Sequence, residues 1–368
     1  MRGISSASGS GMLGHDVVVV GFSAGGIDPL LQLVADLPAD LPASLFVVHH
    51  FPAHSVSALP NILRRVAHLS VVTAMDGECV QRGCIYVGRP DRHLLLAPGR
   101  LRVTRGPREH GNRPALDPLF RTAARSYGTR VIGVILSGTL DDGAVGLHAI
   151  KSAGGIAVVQ DPEQASYPGM PRSALARVQV DHVAPSNELG TLIDRLVRQP
   201  APTRAFVPAI DRIDPADPDP AVVGSAALRR ADPRGRLSML TCPECGGLLF
   251  EAEDGEILHF RCHVGHAFSE ETLLAMQSDA LESALWGAVR ALEEKAELAR
   301  RLAERVRSSG MARAAAGFVE TAREAERGSA MIRETLLHGP VRSALEAPAE
   351  PDEAEQSPSD RVAGLHTL

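Results

Sequence analysis

No basic excess marks this sequence: 38 Lys and Arg stand against 44 Asp and Glu, a formal net charge of −6. A nucleic-acid partner ordinarily leaves a basic footprint, so that class of function is excluded. Long apolar runs are missing too. The opening stretch MRGISSASGSGMLG has no hydrophobic core of signal-peptide length, and nothing later approaches a membrane span. A cytoplasmic location is expected. Cysteine is scarce, and its five copies make an odd number, which fits reduced thiols and a metal site better than a disulfide framework. Aromatic residues amount to only 4%, yet 44% hydrophobic and 22% charged residues describe an ordinary globular protein with room for one large domain and something smaller.

What is present begins with alternation. VVVVGF (17–22), ASLFVVHHF (43–51), LSVVTA (69–74), RVIGVILSG (130–138) and IAVVQD (156–161) read as strands buried on both faces. Helical stretches separate them: IDPLLQLVADLP, ALPNILRRVA, PLFRTAARSYG and DGAVGLHAIKSAGG, the last stopped by Gly154 and Gly155. The segment CIYVGRPDRHLLLAPGRLRVT breaks into short pieces at Gly and Pro and predicts one or two hairpins. The expected fold class is α/β, a doubly wound, mainly parallel sheet with helices on both faces. A flexible N-terminus (1–14) precedes this domain (15–200), and a Pro- and Asp-rich linker (201–238) follows it. A small Cys/His segment (239–268), a helical region (269–338) broken near Gly310, and an acidic, Pro-rich tail (339–368) expected to be disordered complete the chain.

The first strand runs into GFSAGG, which admits three readings. It is one substitution from the dinucleotide fingerprint G-x-G-x-x-G, but that fingerprint wants an acid at the end of strand two, where His49 and His50 stand instead. It could be a structural turn. It also reads G-x-S-x-G, an elbow that lifts the Ser23 hydroxyl above the sheet. Catalysis by Ser23 needs a base and an orienting acid at neighbouring strand ends. VVHHF puts a histidine at one such end, and GVILSGTLDDGA puts Asp141 and Asp142 near another. The order Ser, His, acid differs from that of the α/β-hydrolases.

Taken together, GFSAGG, VVHHFP, YVGRPDRHLLL, RPALDPLF, GVILSGTLDDGAVGL and YPGMPRSAL resemble, in order, the motifs of the catalytic domain of bacterial chemotaxis protein-glutamate methylesterases, the CheB type. The resemblance covers residues 15–196, about half of the chain. It implies a serine hydrolase that demethylates glutamate γ-methyl esters on a chemoreceptor, releasing methanol, with deamidation of receptor glutamine in some members. It implies Ser23 as nucleophile, His50 as base, Asp142 as orienter, no catalytic cofactor, and peripheral contact with membrane-bound receptors. Backbone N–H groups at Ala24 and Thr139 become the candidate oxyanion hole. His49, on the opposite strand face from His50, is assigned to packing or surface, and Asp141 to a turn or cap. Arg113, Asp117 and Phe120 read mainly as architecture, with Arg113 a candidate for the cleft, as are Met170 and Pro171.

The resemblance has departures. Such enzymes usually carry an N-terminal receiver domain, and the short stretch before the first strand leaves no room for one. Ala24 and Thr139 also stand where the family commonly shows Thr and Met. Beyond the linker, Cys242-x2-Cys245-x16-Cys262-x3-His266 has the spacing of a small ribbon folded around a structural zinc ion, with His259 and His263 as competing fourth ligands. The Glu/Arg-rich helices that follow are a candidate self-association surface. Two other functions stay open: a regulatory or binding module that keeps the fold, and an esterase for another carboxyl ester.

Overall fold

The protein is described by a computed structural model over residues 14–50, 57–202, 236–254 and 257–338. The predicted N-terminus up to residue 13, most of the linker, the acidic tail, and Phe51 and Pro52 of VVHHFP lie outside the described residues. Two compact units are formed, Met1–Ala280 and Leu281–Leu368.

The first unit is built on strands β1 (Val17–Phe22), β2 (Ser44–His49), β3 (Ser70–Thr73), β4 (Cys84–Val87), β7 (Val131–Ile135), β8 (Ile156–Gln160) and β9 (His182–Ala184). They form a seven-stranded sheet in the order β3-β4-β2-β1-β7-β8-β9. Every neighbouring pair is parallel. This is the doubly wound fold expected from strands that are apolar on both faces. Successive valines of β1 serve opposite cores. Val18 and Val20 pack with Leu30 and Leu33 of α1 (Ile27–Ala35) and Leu189 and Ile193 of α6 (Ser186–Val197). Val17 and Val19 pack with Leu116 and Phe120 of α3 (Leu116–Tyr127) and Leu147 and Ile150 of α4 (Ala144–Ser152). The remaining helices are short: α2 (Leu59–Leu63), only part of the predicted ALPNILRRVA helix, and α5 (Gly169–Arg177).

The segment CIYVGRPDRHLLLAPGRLRVT breaks into three short strands with one hairpin, as expected. CIYV enters the main sheet as β4, between β3 and β2. Its four residues are all buried, as a central parallel strand requires. Only β5 (His93–Ala97) and β6 (Arg100–Thr104) form the hairpin. Strand order now places the crevice. The chain leaves β1 toward β2 on one side and resumes at β7 on the other, so a switch point opens at the carboxyl end of β1.

The Cys/His segment is a four-stranded antiparallel ribbon of β10 (Arg236–Thr241), β11 (Leu248–Asp254), β12 (Ile257–Cys262) and β13 (Ala267–Ser269). Strand β10 starts inside the segment read as linker. It is an edge strand with only Ser238 buried, so the sequence carries no core periodicity there. Then come α7 (Glu270–Ser308) and α8 (Ala312–His338), separated at Gly310 with φ +78°, as expected. In the second unit they form an antiparallel pair whose core is Ala296, Ala299, Ala322 and Ala325, with Leu292 beside it. Ion pairs Arg300–Glu326 and Arg333–Glu293 flank that core.

The crossing of α3 and α4 is set by Gly146. A Cβ there would lie 2.5 Å from Phe120 Cβ and 3.2 Å from Asp117 Cα. Gly146→Ala improves helix propensity by about 1 kcal/mol, but overpacking against a helix backbone costs about 1–3 kcal/mol. The clash involves atoms that cannot swing away, so it wins. Urea unfolding of the variant is expected to give a lower midpoint; an unchanged or higher one would show that the helices separate freely.

Candidate active site

Ser23 directly follows β1, and its N–H donates to Ser137 O at 2.9 Å, tying the turn to the end of β7. Two glycines make the turn possible. Gly25 has φ +69°, and a Cβ there would sit 2.8 Å from Ser166 Cβ. A Cβ on Gly138 would lie 3.0 Å from Ser23 Cβ and 2.0 Å from Met170 Sδ. Met170 itself is buried under this turn, in the core rather than on an open cleft wall.

His50, the residue after β2, places Nδ1 3.1 Å from Ser23 Oγ and Nε2 2.7 Å from Asp142 Oδ2. A carboxylate can only accept, so Nε2 carries the proton and Nδ1 presents its lone pair to the serine hydroxyl. His50 is 15% exposed and Asp142 2%, which leaves the base open to the crevice and seals the acid beneath it. Asp142 also accepts the N–H groups of Leu116 at 2.8 Å and Asp117 at 3.1 Å, the first turn of α3. That helix end is favourable for an anion. Burial pushes the Asp142 carboxyl up; the charge of His110, the His50 bond and the Leu116 N–H more than offset it, holding Asp142 well below the usual carboxylate range. Leu116 reaches this position because it lies over Gly21, where a Cβ would come within 2.1 Å of its Cδ2.

The other expected residues fall as follows. His49 stacks on Phe22 with ring centroids 4.8 Å apart, and its Nδ1 lies 2.9 Å from His50 O. Burial depresses it to about 4, so it is neutral packing. Among the described residues no acceptor takes the Ala24 or Thr139 N–H. Arg113 is tied to Asp91 and to Gly106 O and serves as a strut. Asp117 and Phe120 are buried. Asp141 caps the turn through its backbone, with Ala144 N–H on its carbonyl, and its side chain does not reach His50.

Sequence reading missed a buried ring. His110 donates from Nε2 to Asp117 Oδ2 at 2.9 Å and lies 3.8 Å from Asp142 Oδ1. Burial favours its neutral form, but the Asp142 charge, the Asp117 bond and Asp141 prevail and raise it to about 10. No spacing rule flags a histidine in a loop such as GPREHGNRP. It becomes visible only when three aspartates surround it.

In the ribbon, Cys242, Cys245, Cys262 and His266 bring their ligand atoms within 4.8 Å of one another. Cys245 Sγ is 3.7 Å from Cys262 Sγ, and His266 Nδ1 is 3.6 Å from the sulfurs of Cys242 and Cys262. Tetrahedral zinc requires separations of about 3.8 Å between sulfurs and about 3.6 Å between sulfur and nitrogen. The donor set therefore fits a metal ion. Turns at Gly246 (φ +69°) and Gly265 (φ +106°) form the two knuckles, and neither His259 nor His263 belongs to the cluster.

A serine, a histidine and a buried aspartate in hydrogen-bonded series at three carboxyl strand ends define a serine-hydrolase type of site on a doubly wound sheet. The family model described as CheB methylesterase matches residues 18–193. A protein of Leptospira interrogans with the provisional name protein-glutamate methylesterase/protein-glutamine glutaminase is 36% identical over 185 residues, 50% of this chain and 96% of its own. An Anaeromyxobacter dehalogenans protein-glutamate methylesterase/protein-glutamine glutaminase is 37% identical over 183 residues, again 50% of this chain but 54% of its own. The crystal structure of the Thermotoga maritima CheB methylesterase catalytic domain is 32% identical, covers 50% of this chain and 98% of that one, and superposes with a TM-score of 0.48. The chain belongs to the CheB methylesterase family.

His110 gives this site a pH signature. Its value is about 10 in the fold and 6.5 as reference, so its stabilisation is complete below pH 6.5 and fades as pH rises through about 10. The stability difference between wild type and His110→Gln, from denaturant midpoints, is expected to shrink across that window. A constant difference would mean a neutral ring.

Proposed function

We propose that residues 15–200 are a protein-glutamate methylesterase domain that hydrolyses glutamate γ-methyl esters on a methylated chemoreceptor or related signalling protein. The observation that carries this reading is the Ser23–His50–Asp142 series in a chain of the CheB methylesterase family. His50 Nδ1 takes the Ser23 proton as Oγ attacks the γ-carbonyl, and Asp142 steadies the imidazolium through Nε2–H. The Ala24 and Thr139 amides receive the oxyanion. Collapse breaks the bond to the methoxy oxygen, which leaves as methanol with the proton from Nδ1. Water, deprotonated by His50, then frees the glutamate from the acyl-enzyme. With a glutamine γ-amide the same steps release ammonia, the glutaminase activity named for the relatives.

Residues 239–268 fit a structural zinc site, with Cys242, Cys245, Cys262 and His266 as its ligands. A closed four-ligand set leaves no position for a reactive water, so zinc would supply folding energy to the ribbon and not chemistry to the esterase. The helical region 269–338 keeps Leu281, Leu298 and Met331 exposed, which suits self-association. No helix of the described residues is long and apolar enough to cross a membrane, so the receptor would be met from the aqueous side.

Methanol release from methylated receptor membranes is expected to vanish in Ser23→Ala and to fall on the order of 10⁴-fold in Asp142→Asn, where the base loses its orienting acceptor. Equal release by wild type and Ser23→Ala would sink the serine mechanism. Elemental analysis should find zinc near one ion per chain and none in Cys242→Ser. A ratio near zero in wild type would overturn the metal assignment.

A further inference from the structure

The turn that carries Asp142 is not self-supporting. Leu140 has φ +59° and Gly143 φ +99°, and a left-handed leucine persists only where its surroundings impose it. Beside Leu140 stands Asp141, whose carboxylate is buried. Arg177 of α5 binds Asp141 at 2.7 Å. The other two donors come from far along the chain, at the join of β13 and α7: Ser269 Oγ at 2.6 Å and Thr272 Oγ1 at 2.9 Å.

Counting protons shows what these hydroxyls fix. Each has one proton to give, and both give it to Asp141. Ser269 Oγ then accepts the Thr272 N–H at 3.1 Å, capping α7. Thr272 Oγ1 can only accept from its remaining neighbour, His110 Nδ1, at 3.3 Å. With Nε2 donating to Asp117, both ring nitrogens bear protons and the ring is an imidazolium facing Asp142. Strand β13 holds the same loop by its backbone, His110 N–H donating to Ala267 O at 2.8 Å.

We propose that Ser269 and Thr272 are positioning residues of the esterase: through Asp141 and His110 they set the placement and electrostatic environment of the Asp142–His50 pair. This rests on the reading of Ser23, His50 and Asp142 as nucleophile, base and acid. The charged groups facing the cluster are Asp117 from α3, Asp141 and Asp142 from the turn before α4, His50 from the end of β2, and Arg177 from α5, itself bound to Glu271 of α7. On the flank of His110, Glu109 is held by Arg121 and Arg261. Loss of the Thr272 acceptor frees the imidazolium to turn or neutralise. Asp142 then loses a nearby cation, which changes the field around its bond to His50 and the placement of that bond.

The test uses the full chain with Thr272→Val, Ser269→Ala, the double variant, Thr272→Ser and, as control, Ser278→Ala on the exposed side of α7. Two readouts are taken across pH: covalent labelling of Ser23 by a fluorophosphonate, which needs no receptor, and methanol release from methylated receptor membranes. Thr272→Val and Ser269→Ala are each expected to lower kcat about tenfold, as for one weakened charge-assisted hydrogen bond, with little change in KM. The pH profile of labelling should change together with the rate, and Thr272→Ser should restore both. A double variant with wild-type rate and pH profile, whether or not its melting changes, would overturn the proposal. If Thr272→Val fails to fold, Ser269→Ala decides it in the same way. Wild type that labels at Ser23 but releases no methanol would remove the substrate reading and leave the labelling comparison decisive. Wild type that fails to label would remove the nucleophile and this proposal with it.

Discussion

A buried negative charge organises this protein. The Asp142 carboxylate takes two amides from the start of α3, the imidazole of His50, and the field of His110. An isolated carboxylate is expensive to bury, and pairing makes it tolerable. Each partner comes from a different element, so satisfying Asp142 fixes α3 against β7 and sets the edge of β2. Gly21 and Gly143 belong to the same constraint. Both leave room for Leu116, whose N–H is one of the two amides. The first glycine of GFSAGG thus serves Asp142, while Gly25 serves the turn at Ser23.

Much of this architecture was legible because it is repetitive. Strands buried on both faces read as apolar runs, and the points where those runs stop put Ser23, the His49–His50 pair and the Asp141–Asp142 pair at strand ends; the choice of His50 and Asp142 came from the family resemblance. Strand β4 was legible as a short strand but its place in the sheet was not, because Gly88, Arg89 and Pro90 interrupt the pattern just after it and a run of only four residues carries no information about its neighbours. The site's lower layer was illegible for another reason. His110, Asp141, Ser269 and Thr272 meet across large separations in sequence, and hydrogen-bonded polar residues show no periodicity to betray their burial.

The ribbon shows how a small module can matter to a large one. Its own core is slight, with Leu249, Phe260 and Phe268 as the main apolar residues, and a sheet of that size rarely holds its shape without a metal or a cross-link. The four clustered ligand atoms meet that need. Its attachment to the α/β domain is polar instead: Ala267 on the 108–110 loop, the two hydroxyls on Asp141, Arg261 beside Glu109. Polar attachment fixes geometry more sharply than apolar contact, because donors must meet acceptors in one register.

The placement of these donors along the chain has a consequence for the protein's birth. Ser23 and His50 are synthesised before Asp142, and Ser269 and Thr272 come only with and just after the last strand of the ribbon. Domains generally fold as they leave the ribosome, N-terminal part first. The sheet can therefore assemble while the layer beneath the acid still lacks its last two hydroxyls. On the role proposed for Ser269 and Thr272, full activity is reached only once the ribbon has set its hydroxyls on Asp141.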